Sequence, residues 1–149
     1  DSMNATNAIQ AQTAACPHCH TLNRVAGGDP AQAHCGHCGK PLFEGHPVEL
    51  DEASFARHMR ADMPLVVDFW APWCGPCRMM APIYQQAAAK LEPAARLAKV
   101  NTDEQGELAG RFAIRSIPTL AIFKNGREVA RHSGVMEQSR FIDWVRSHV

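Results

Sequence analysis

The sequence has no excess of charge of either sign, few aromatic residues and no long apolar run. Its 15 basic side chains balance 15 acidic ones, and 7% of its 149 residues are aromatic. Balanced charge argues against a nucleic-acid partner, because binding to phosphates depends on clustered Lys and Arg. No apolar stretch approaches the roughly 20 residues of a membrane span, so no membrane partner is expected. A hydrophobic fraction of 46% predicts one folded domain, or one domain with a small appendage.

The first 47 residues are poor in the side chains that make a core. They contain one aromatic residue, Phe43, but four of the six cysteines and five of the eight histidines. Such a segment needs a staple to fold. Residues 1–15 lack the basic cluster and apolar stretch of an export signal. We therefore expect a cytoplasmic, reducing setting, in which CxxC pairs serve metal or redox chemistry.

From residue 48 onward, strand-like and helix-like stretches alternate in the order β-α-β-α-β-α-β-β-α. This order predicts an α/β domain with a central sheet flanked by helices. Residues 65–70 are a near-continuous apolar strand, the type that is buried on both faces. We expect an N-terminal tail and a small cysteine-rich module over residues 1–47, and the α/β domain over residues 48–149.

One CxxC pair, Cys74 and Cys77, lies between this buried strand and a predicted helix. The thiolate is the nucleophile of thiol–disulfide exchange. At a helix start, free backbone N–H groups and the helix dipole favour a charged sulfur on Cys74. Cys77 lies one turn later, while Gly75 permits a tight turn and Pro76 suits the first helical turn. The context predicts a redox-active dithiol rather than half of a metal site or two inert thiols.

The residues around this dithiol resemble the thioredoxin family. Residues 68–77, Asp-Phe-Trp-Ala-Pro-Trp-Cys-Gly-Pro-Cys, match the family's active site without a departure. Residues 116–119, Ser-Ile-Pro-Thr, resemble its cis-proline loop, and residues 123–126, Phe-Lys-Asn-Gly, resemble its hairpin. Gly134 is similar to the glycine that borders the family's substrate groove. The resemblance extends over residues 48–149 and implies a thioredoxin fold.

The resemblance also implies an activity, namely the reduction of disulfides in protein substrates by a monomeric protein. It implies that Cys74 attacks the substrate disulfide, and that an NADPH-dependent thioredoxin reductase restores the dithiol. The resemblance implies that Asp68 accepts a proton from Cys77 through water. This role needs a pKa near the working pH, which burial in an apolar strand can supply. Lys99 occupies the family position that pairs with Asp68. The expected substrate surface comprises Trp73, Gly75, Pro76, Ile117, Pro118 and Gly134.

At Pro118 the resemblance changes an expectation. The sequence alone predicts a trans Ile117–Pro118 bond, because only about 5–6% of such bonds are cis. The resemblance implies a cis bond, which exposes the backbone of Ile117 to an extended substrate segment. Trp73 is expected to stack beside the dithiol or to cover it, and Met79 and Met80 are expected to be packing residues.

The remaining cysteines have the C-x2-C-x15-C-x2-C spacing of a zinc ribbon: Cys16, Cys19, Cys35 and Cys38. Four thiolates suit tetrahedral Zn²⁺, although iron accepts the same ligands. The nearby histidines are expected to be solvated or to support the ligands, because four cysteines fill the site. The tetrapeptide Cys-Pro-His-Cys at 16–19 resembles the active site of periplasmic disulfide oxidases, but no apolar strand is expected before it and no helix after it. With this module the resemblance becomes one to the zinc-containing thioredoxins of bacteria.

Two alternative functions remain open at this point. The redox reaction could run in the opposite direction, as in a disulfide oxidase or isomerase, although Gly75-Pro76 resembles the reducing members of the family. The chain could instead be a zinc-dependent, redox-regulated adaptor that binds partners. The purpose of the metal, structural or regulatory, is also open, because metal binding can supply folding free energy to a small core.

Overall fold

The computed structural model describes residues 12–149. Residues 12–47, here called the ribbon, contain the antiparallel strands β1 (Gln12–Ala15) and β2 (Leu22–Val25) and a 3₁₀ turn at Pro30–Gln32. Residues 48–149, here called the α/β region, contain β3 (Val48–Glu49), α1 (Glu52–Met59), β4 (Leu65–Trp70), α2 (Gly75–Leu91), β5 (Arg96–Asn101), α3 (Gly106–Arg111), β6 (Thr119–Lys124), β7 (Arg127–Ser133) and α4 (Gln138–Arg146). This element order is the predicted one.

The α/β region has one mixed sheet with the strand order β3-β5-β4-β6-β7. Both β3 and β4 run parallel to β5, while β6 is antiparallel to β4 and to β7. Alternation along β4 sends Val66 to one face of the sheet and Val67 and Phe69 to the other. The Val66 side packs with α2 and α4, and the opposite side packs with α1 and α3. The central strand is therefore buried on both faces, as its apolar sequence predicts.

Two local devices set the ends of the elements. Asp51 caps α1, since its carboxylate accepts the Ser54 backbone N–H at 2.9 Å and the Ser54 hydroxyl accepts the Asp51 N–H at 2.9 Å. The turn between β6 and β7 has positive φ at Asn125 (53°) and at Gly126 (77°), as a tight hairpin requires. Among residues 12–149, the helices are all too short or too polar to cross a membrane.

The ribbon packs against the end of the sheet where β4 and β5 begin. The Met63 N–H donates to the Thr13 carbonyl at 3.1 Å, and Thr13 and Asp62 exchange two further hydrogen bonds. The Gly45 N–H donates to the Glu92 carboxylate at 2.9 Å. Because Cys74 follows the opposite, carboxyl end of β4, the ribbon and the dithiol lie at opposite ends of this strand.

Arg96 joins the ribbon to the α/β region. Its side chain is buried and forms an ion pair with Glu92 at 2.7 Å, in which both side chains are only 3% exposed. Its guanidinium also donates to the backbone carbonyls of Ala15 and Leu42, each at 2.9 Å, and lies 5.3 Å from the Phe43 ring centroid. A buried guanidinium thus satisfies carbonyls of two separate ribbon segments.

Candidate active site and metal centre

The dithiol lies at the start of α2. Cys74 is the N-cap residue of this helix, and its Sγ accepts the Cys77 backbone N–H at 3.2 Å. The two cysteines are joined by a disulfide, with their Cα atoms 5.2 Å apart. Pro76 occupies the first turn, where its missing N–H costs no hydrogen bond. In the reduced pair, the amide donor and the positive end of a 17-residue helix favour the thiolate of Cys74.

The loop that contains Pro118 lies beside the dithiol. The Ile117–Pro118 peptide bond is cis, in agreement with the expectation from the resemblance. The Ile117 carbonyl oxygen lies 3.7 Å from the Cys74 Sγ. Gly134, with φ at 101°, donates its N–H to the Pro118 carbonyl at 2.8 Å and so ties the loop to the end of β7. This positive φ explains a glycine at position 134.

Exposed apolar side chains lie close to the dithiol in the sequence. Trp73 is 66% exposed, and its indole N–H donates to the Asp103 carboxylate, 3.0 Å from the nearer oxygen. Met80 is fully buried, as expected, but the packing role predicted for Met79 is wrong, because Met79 is 64% exposed. Helical geometry explains the difference, since these adjacent residues face different sides of α2 and only one can point to the core.

A carboxyl group with no hydrogen-bond partner is buried in the central strand. Asp68 is 0% exposed, and neither of its oxygens has a partner among residues 12–149. Burial raises the pKa of Asp68 to about 7, Lys99 opposes the rise, and Glu49 adds to it. Lys99 is directly opposite Asp68 in the β4–β5 pairing. A carboxyl with this pKa can gain and lose a proton near neutral pH.

The four ribbon cysteines form one cluster. Their Sγ atoms all lie within 4.8 Å of one another: Cys16, Cys19, Cys35 and Cys38. The pairs Cys16–Cys38 and Cys19–Cys35 have sulfur–sulfur distances of 3.6 Å. Sulfurs bound at about 2.3 Å to a tetrahedral zinc ion are about 3.8 Å apart, so the cluster has the dimensions of such a site. Four thiolates this close would repel one another strongly without a cation.

Two similar turns hold the cluster. The Cys16 Sγ accepts the backbone N–H groups of His18 and Cys19 at 3.3 and 3.4 Å. The Cys35 Sγ accepts those of His37 and Cys38 at the same distances. Such donors favour thiolates. They lower the pKa of Cys35 to about 5 against the opposing effect of burial, whereas at Cys16 burial outweighs them and raises the pKa to about 11. The donor set, the spacing and the amide contacts all fit a metal ion bound by four sulfurs.

The first of these turns follows a short strand that the sequence-based predictions do not include. This strand, β1, is half polar, so the expectation that no apolar strand precedes Cys16 is unaffected. This strand is only four residues long, and it pairs antiparallel with β2 rather than entering the central sheet. The chain after Cys16 turns back, with the His20 N–H donating to the Cys16 carbonyl and the Cys16 N–H to the Thr21 carbonyl, both at 2.9 Å. The described ribbon continues from this turn into β2 and not into a helix, so Cys16 lacks the environment of a redox-active cysteine.

Four of the five ribbon histidines have side-chain partners of their own: His18, His20, His34 and His46. His18 binds Glu44 at 2.7 Å, and His34 contacts the Gln32 carbonyl at 2.9 Å. His20 Nδ1 lies 3.1 Å from Nε2 of the buried His58 in α1. None of the histidines in the described range belongs to the sulfur cluster.

Two residues that matter to these sites are absent from the sequence-based predictions. Arg96 is visible in the sequence only as a cation at the start of an apolar strand, and its ribbon partners are far away along the chain. Glu49 acts on Asp68, yet 19 positions separate the two. The signal in the sequence was the same in both cases, a charged residue within a strand-like stretch. The partners of such a residue depend on the order of the strands, which the local sequence does not give.

Comparisons with known proteins agree with the fold of the α/β region and with its dithiol. The family described as "Thioredoxin" matches residues 46–147. Thioredoxin C-3 of Corynebacterium nephridii is 39% identical over 132 residues, which cover 87% of this chain and 90% of that protein. Thioredoxin 1 of Nostoc sp. is 45% identical over 103 residues, which cover 68% of this chain and 96% of that protein. The α/β region makes up about two thirds of this chain, so the first of these alignments extends into the ribbon.

Solved structures give the same answer for the fold. Thioredoxin of Malassezia sympodialis superimposes with a TM-score of 0.66 at 29% identity, over 75% of this chain and 98% of that one. A mutant thioredoxin from Halobacterium salinarum gives 0.65 at 28% identity, over 70% of this chain and 91% of that one. Together with the dithiol at the start of α2, these matches show that the chain belongs to the thioredoxin family and is a thiol–disulfide oxidoreductase.

Proposed function

We propose that this protein is a protein-disulfide reductase that uses the Cys74–Cys77 dithiol. The observation that carries the proposal is the position of Cys74 as the N-cap of α2, with its sulfur accepting the Cys77 N–H and lying 3.7 Å from the Ile117 carbonyl. A nucleophilic sulfur thereby lies next to backbone groups that can pair with an extended substrate segment.

The reaction follows from these positions. The Cys74 thiolate attacks one sulfur of a substrate disulfide, so that a mixed disulfide forms and the other substrate sulfur leaves as a thiolate. Cys77 then loses its proton and attacks the Cys74 sulfur, which releases the second substrate thiolate. Two electrons pass to the substrate, and the Cys74–Cys77 disulfide remains.

Asp68 accepts the Cys77 proton in this scheme. Its buried carboxyl, with a pKa raised to about 7, holds a proton about half of the time at neutral pH and can take up another group's proton in its ionised form. Lys99 stabilises the ionised form. The surface that receives the substrate comprises Trp73, Gly75, Pro76, Ile117, Pro118 and Gly134.

The four ribbon cysteines hold one zinc ion in this proposal. Cys16, Cys19, Cys35 and Cys38 would be its ligands, and the ion would neutralise their charge and tie the two turns together. The domain boundary then falls at residue 47, with an N-terminal tail and the zinc ribbon over residues 1–47 and the thioredoxin domain over residues 48–149. The ribbon packs at the end of β4 away from Cys74, which supports a structural or regulatory role for the metal and none in the electron transfer itself.

The working partners are disulfide-containing proteins as substrates and an NADPH-dependent thioredoxin reductase as the source of electrons. The family membership supports both partners. A monomer in the cytoplasm fits a dithiol that must be kept reduced.

Trapping the mixed disulfide tests the proposal. With Cys77→Ser, a disulfide-containing protein such as insulin is expected to remain covalently attached to Cys74, visible by mass spectrometry and released by dithiothreitol. Cys38→Ser is the matched control, since it removes the second cysteine of another CxxC pair and should trap nothing. Attachment through any cysteine other than Cys74 would overturn the assignment of the nucleophile.

A further inference from the structure

A row of charged residues crosses the sheet beneath the dithiol. In the strand register, Glu49 of β3 is opposite Lys99 of β5, and Lys99 is opposite Asp68 of β4. Residues directly opposite one another project from the same face of a sheet. Since β5 lies between β3 and β4, Lys99 stands between two carboxylates whose Cα atoms are about 10 Å apart.

The row runs from solvent into the core. Glu49 is exposed at the surface although neighbouring atoms partly cover its carboxylate, Lys99 is partly buried, and Asp68 is fully buried. Asp68 therefore lies out of contact with bulk solvent, and the charged residues opposite it in the row lie on the neighbouring strands. The residue on the other side of Asp68 in the row, Leu120 of β6, is apolar.

The Lys99 ammonium is paired with neither carboxylate. Its ammonium lies over the Trp70 ring, 4.5 Å from the centroid, and forms no salt bridge with Glu49 or Asp68 in the described structure. Trp70 in turn packs against the dithiol cluster of Cys74 and Cys77. The Lys99 ammonium thus lies between two carboxylates and on the Trp70 ring, which contacts the dithiol. Through this ammonium Glu49 can influence the ionisation of Asp68.

We propose that Glu49 is a positioning residue for the redox reaction. It competes with Asp68 for the Lys99 ammonium and so weakens the pairing between this ammonium and the Asp68 carboxylate. The inference rests on the proposed role of Asp68 as proton acceptor. Glu49 draws the ammonium toward solvent, and its own negative charge opposes the ionisation of Asp68. Glu49 thereby increases the fraction of Asp68 that is protonated at neutral pH.

The other ionisable groups around Asp68 do not supply this effect. The Tyr84 hydroxyl of α2 is fully buried and lies 2.9 and 2.7 Å from the Val66 and Ala98 carbonyls, and its pKa is raised well above the usual value, mainly by burial. His132 of β7 is opposite Leu120, one strand further away. The pKa of Glu49 is itself raised, chiefly by partial burial and less by Glu104, while Lys99 lowers it.

The test is a direct titration of the Asp68 carboxyl. Its ¹³C resonance is followed against pH in the reduced wild-type protein and in Glu49→Gln. There the pKa of Asp68 is expected to fall by about two units, because an ammonium that becomes free to pair with a carboxylate lowers its pKa by about 1–3 units. Glu107→Gln, an exposed carboxyl on α3, is the matched control and should leave that pKa unchanged. Glu49→Asp should restore most of the wild-type value.

A variant that lacks Lys99 separates competition for the lysine from a direct electrostatic effect of Glu49 on Asp68. In Lys99→Met, the additional change Glu49→Gln is expected to shift the pKa of Asp68 by less than half of its effect in the wild-type protein. An unchanged pKa in Glu49→Gln, or equal shifts with and without Lys99, would overturn the proposal. The rate of mixed-disulfide resolution against pH in Asp68→Asn is measured alongside, and a profile like that of the wild type would refute the role of Asp68 while the titration still decides the role of Glu49.

Discussion

The CxxC pair of the α/β region and the two pairs of the ribbon share a spacing but differ in what the backbone does next. In all three, the first sulfur accepts the backbone N–H of the cysteine three residues later, at 3.2 to 3.4 Å. After Cys74 the chain continues as a 17-residue helix, whereas after Cys16 and Cys35 it turns back through a hydrogen-bonded turn. The spacing therefore brings an amide to a sulfur, and the continuation decides whether that sulfur faces a substrate or three other sulfurs.

Removing one cysteine from each kind of pair is the strongest test of their different roles. Cys74→Ser should reduce insulin at least about 10³-fold more slowly than the wild type, because a hydroxyl is a poor nucleophile at neutral pH. Cys19→Ser should retain activity within a few-fold. The rates are measured with dithiothreitol as reductant. Full activity in Cys74→Ser, or complete loss in a folded Cys19→Ser protein, would contradict the division of labour.

Metal content gives the second test. Protein purified without added zinc should contain one equivalent of zinc by mass spectrometry, and its reduced native form should have two titratable thiols. A strong chelator should raise that number to six and loosen the ribbon, because a small module held by a metal unfolds without it. Amide exchange in the ribbon should rise while that of β4 changes little. Six reactive thiols and no metal in the untreated protein would exclude the zinc site.

The contact between the two regions is tested by paired arginine substitutions. Arg96→Met should lower the free energy of unfolding by about 3–5 kcal/mol, because it leaves the buried Glu92 without its cation and two ribbon carbonyls without a donor. Arg111→Met breaks an ion pair with Glu52 whose side chains are about half exposed, and it should cost less than about 1 kcal/mol. Urea unfolding measures both. Equal losses would show that the buried pair does not hold the ribbon in place.

A somewhat smaller effect is expected at Asp68, and it depends on pH. An acid whose pKa is about 7 in the folded state and about 3.9 in the unfolded state makes folding less favourable as pH rises through this range. Asp68→Asn should therefore stabilise the protein at pH 8 by up to about 4 kcal/mol, and this gain should vanish near pH 3. Unfolding curves at both values check the sign. A gain that is independent of pH would mean that burial does not perturb this carboxyl.

Local patterns were sufficient for much of the fold and of both candidate sites. The order of helices and strands, the buried character of β4 and the start of α2 beside Cys74 all follow from periodicity and capping residues. The exposure of Met79 was missed, because the direction of each residue on α2 depends on how the helix packs. The strand before Cys16 was missed for a similar reason, since Gln-Thr-Ala-Ala has little strand character until it pairs with β2.

By itself the sequence determined which cysteines can meet as neighbours, because residues three positions apart are held close by the chain itself, whatever surrounds them. It also determined which acid is buried, since any residue within an apolar strand that is covered on both faces is itself buried. Only the tertiary structure decided that Lys99 stands between Glu49 and Asp68, that Arg96 reaches the ribbon carbonyls, and that the ribbon lies at the far end of β4 from the dithiol. These relations depend on strand order and packing between segments distant along the chain, and no local spacing encodes them.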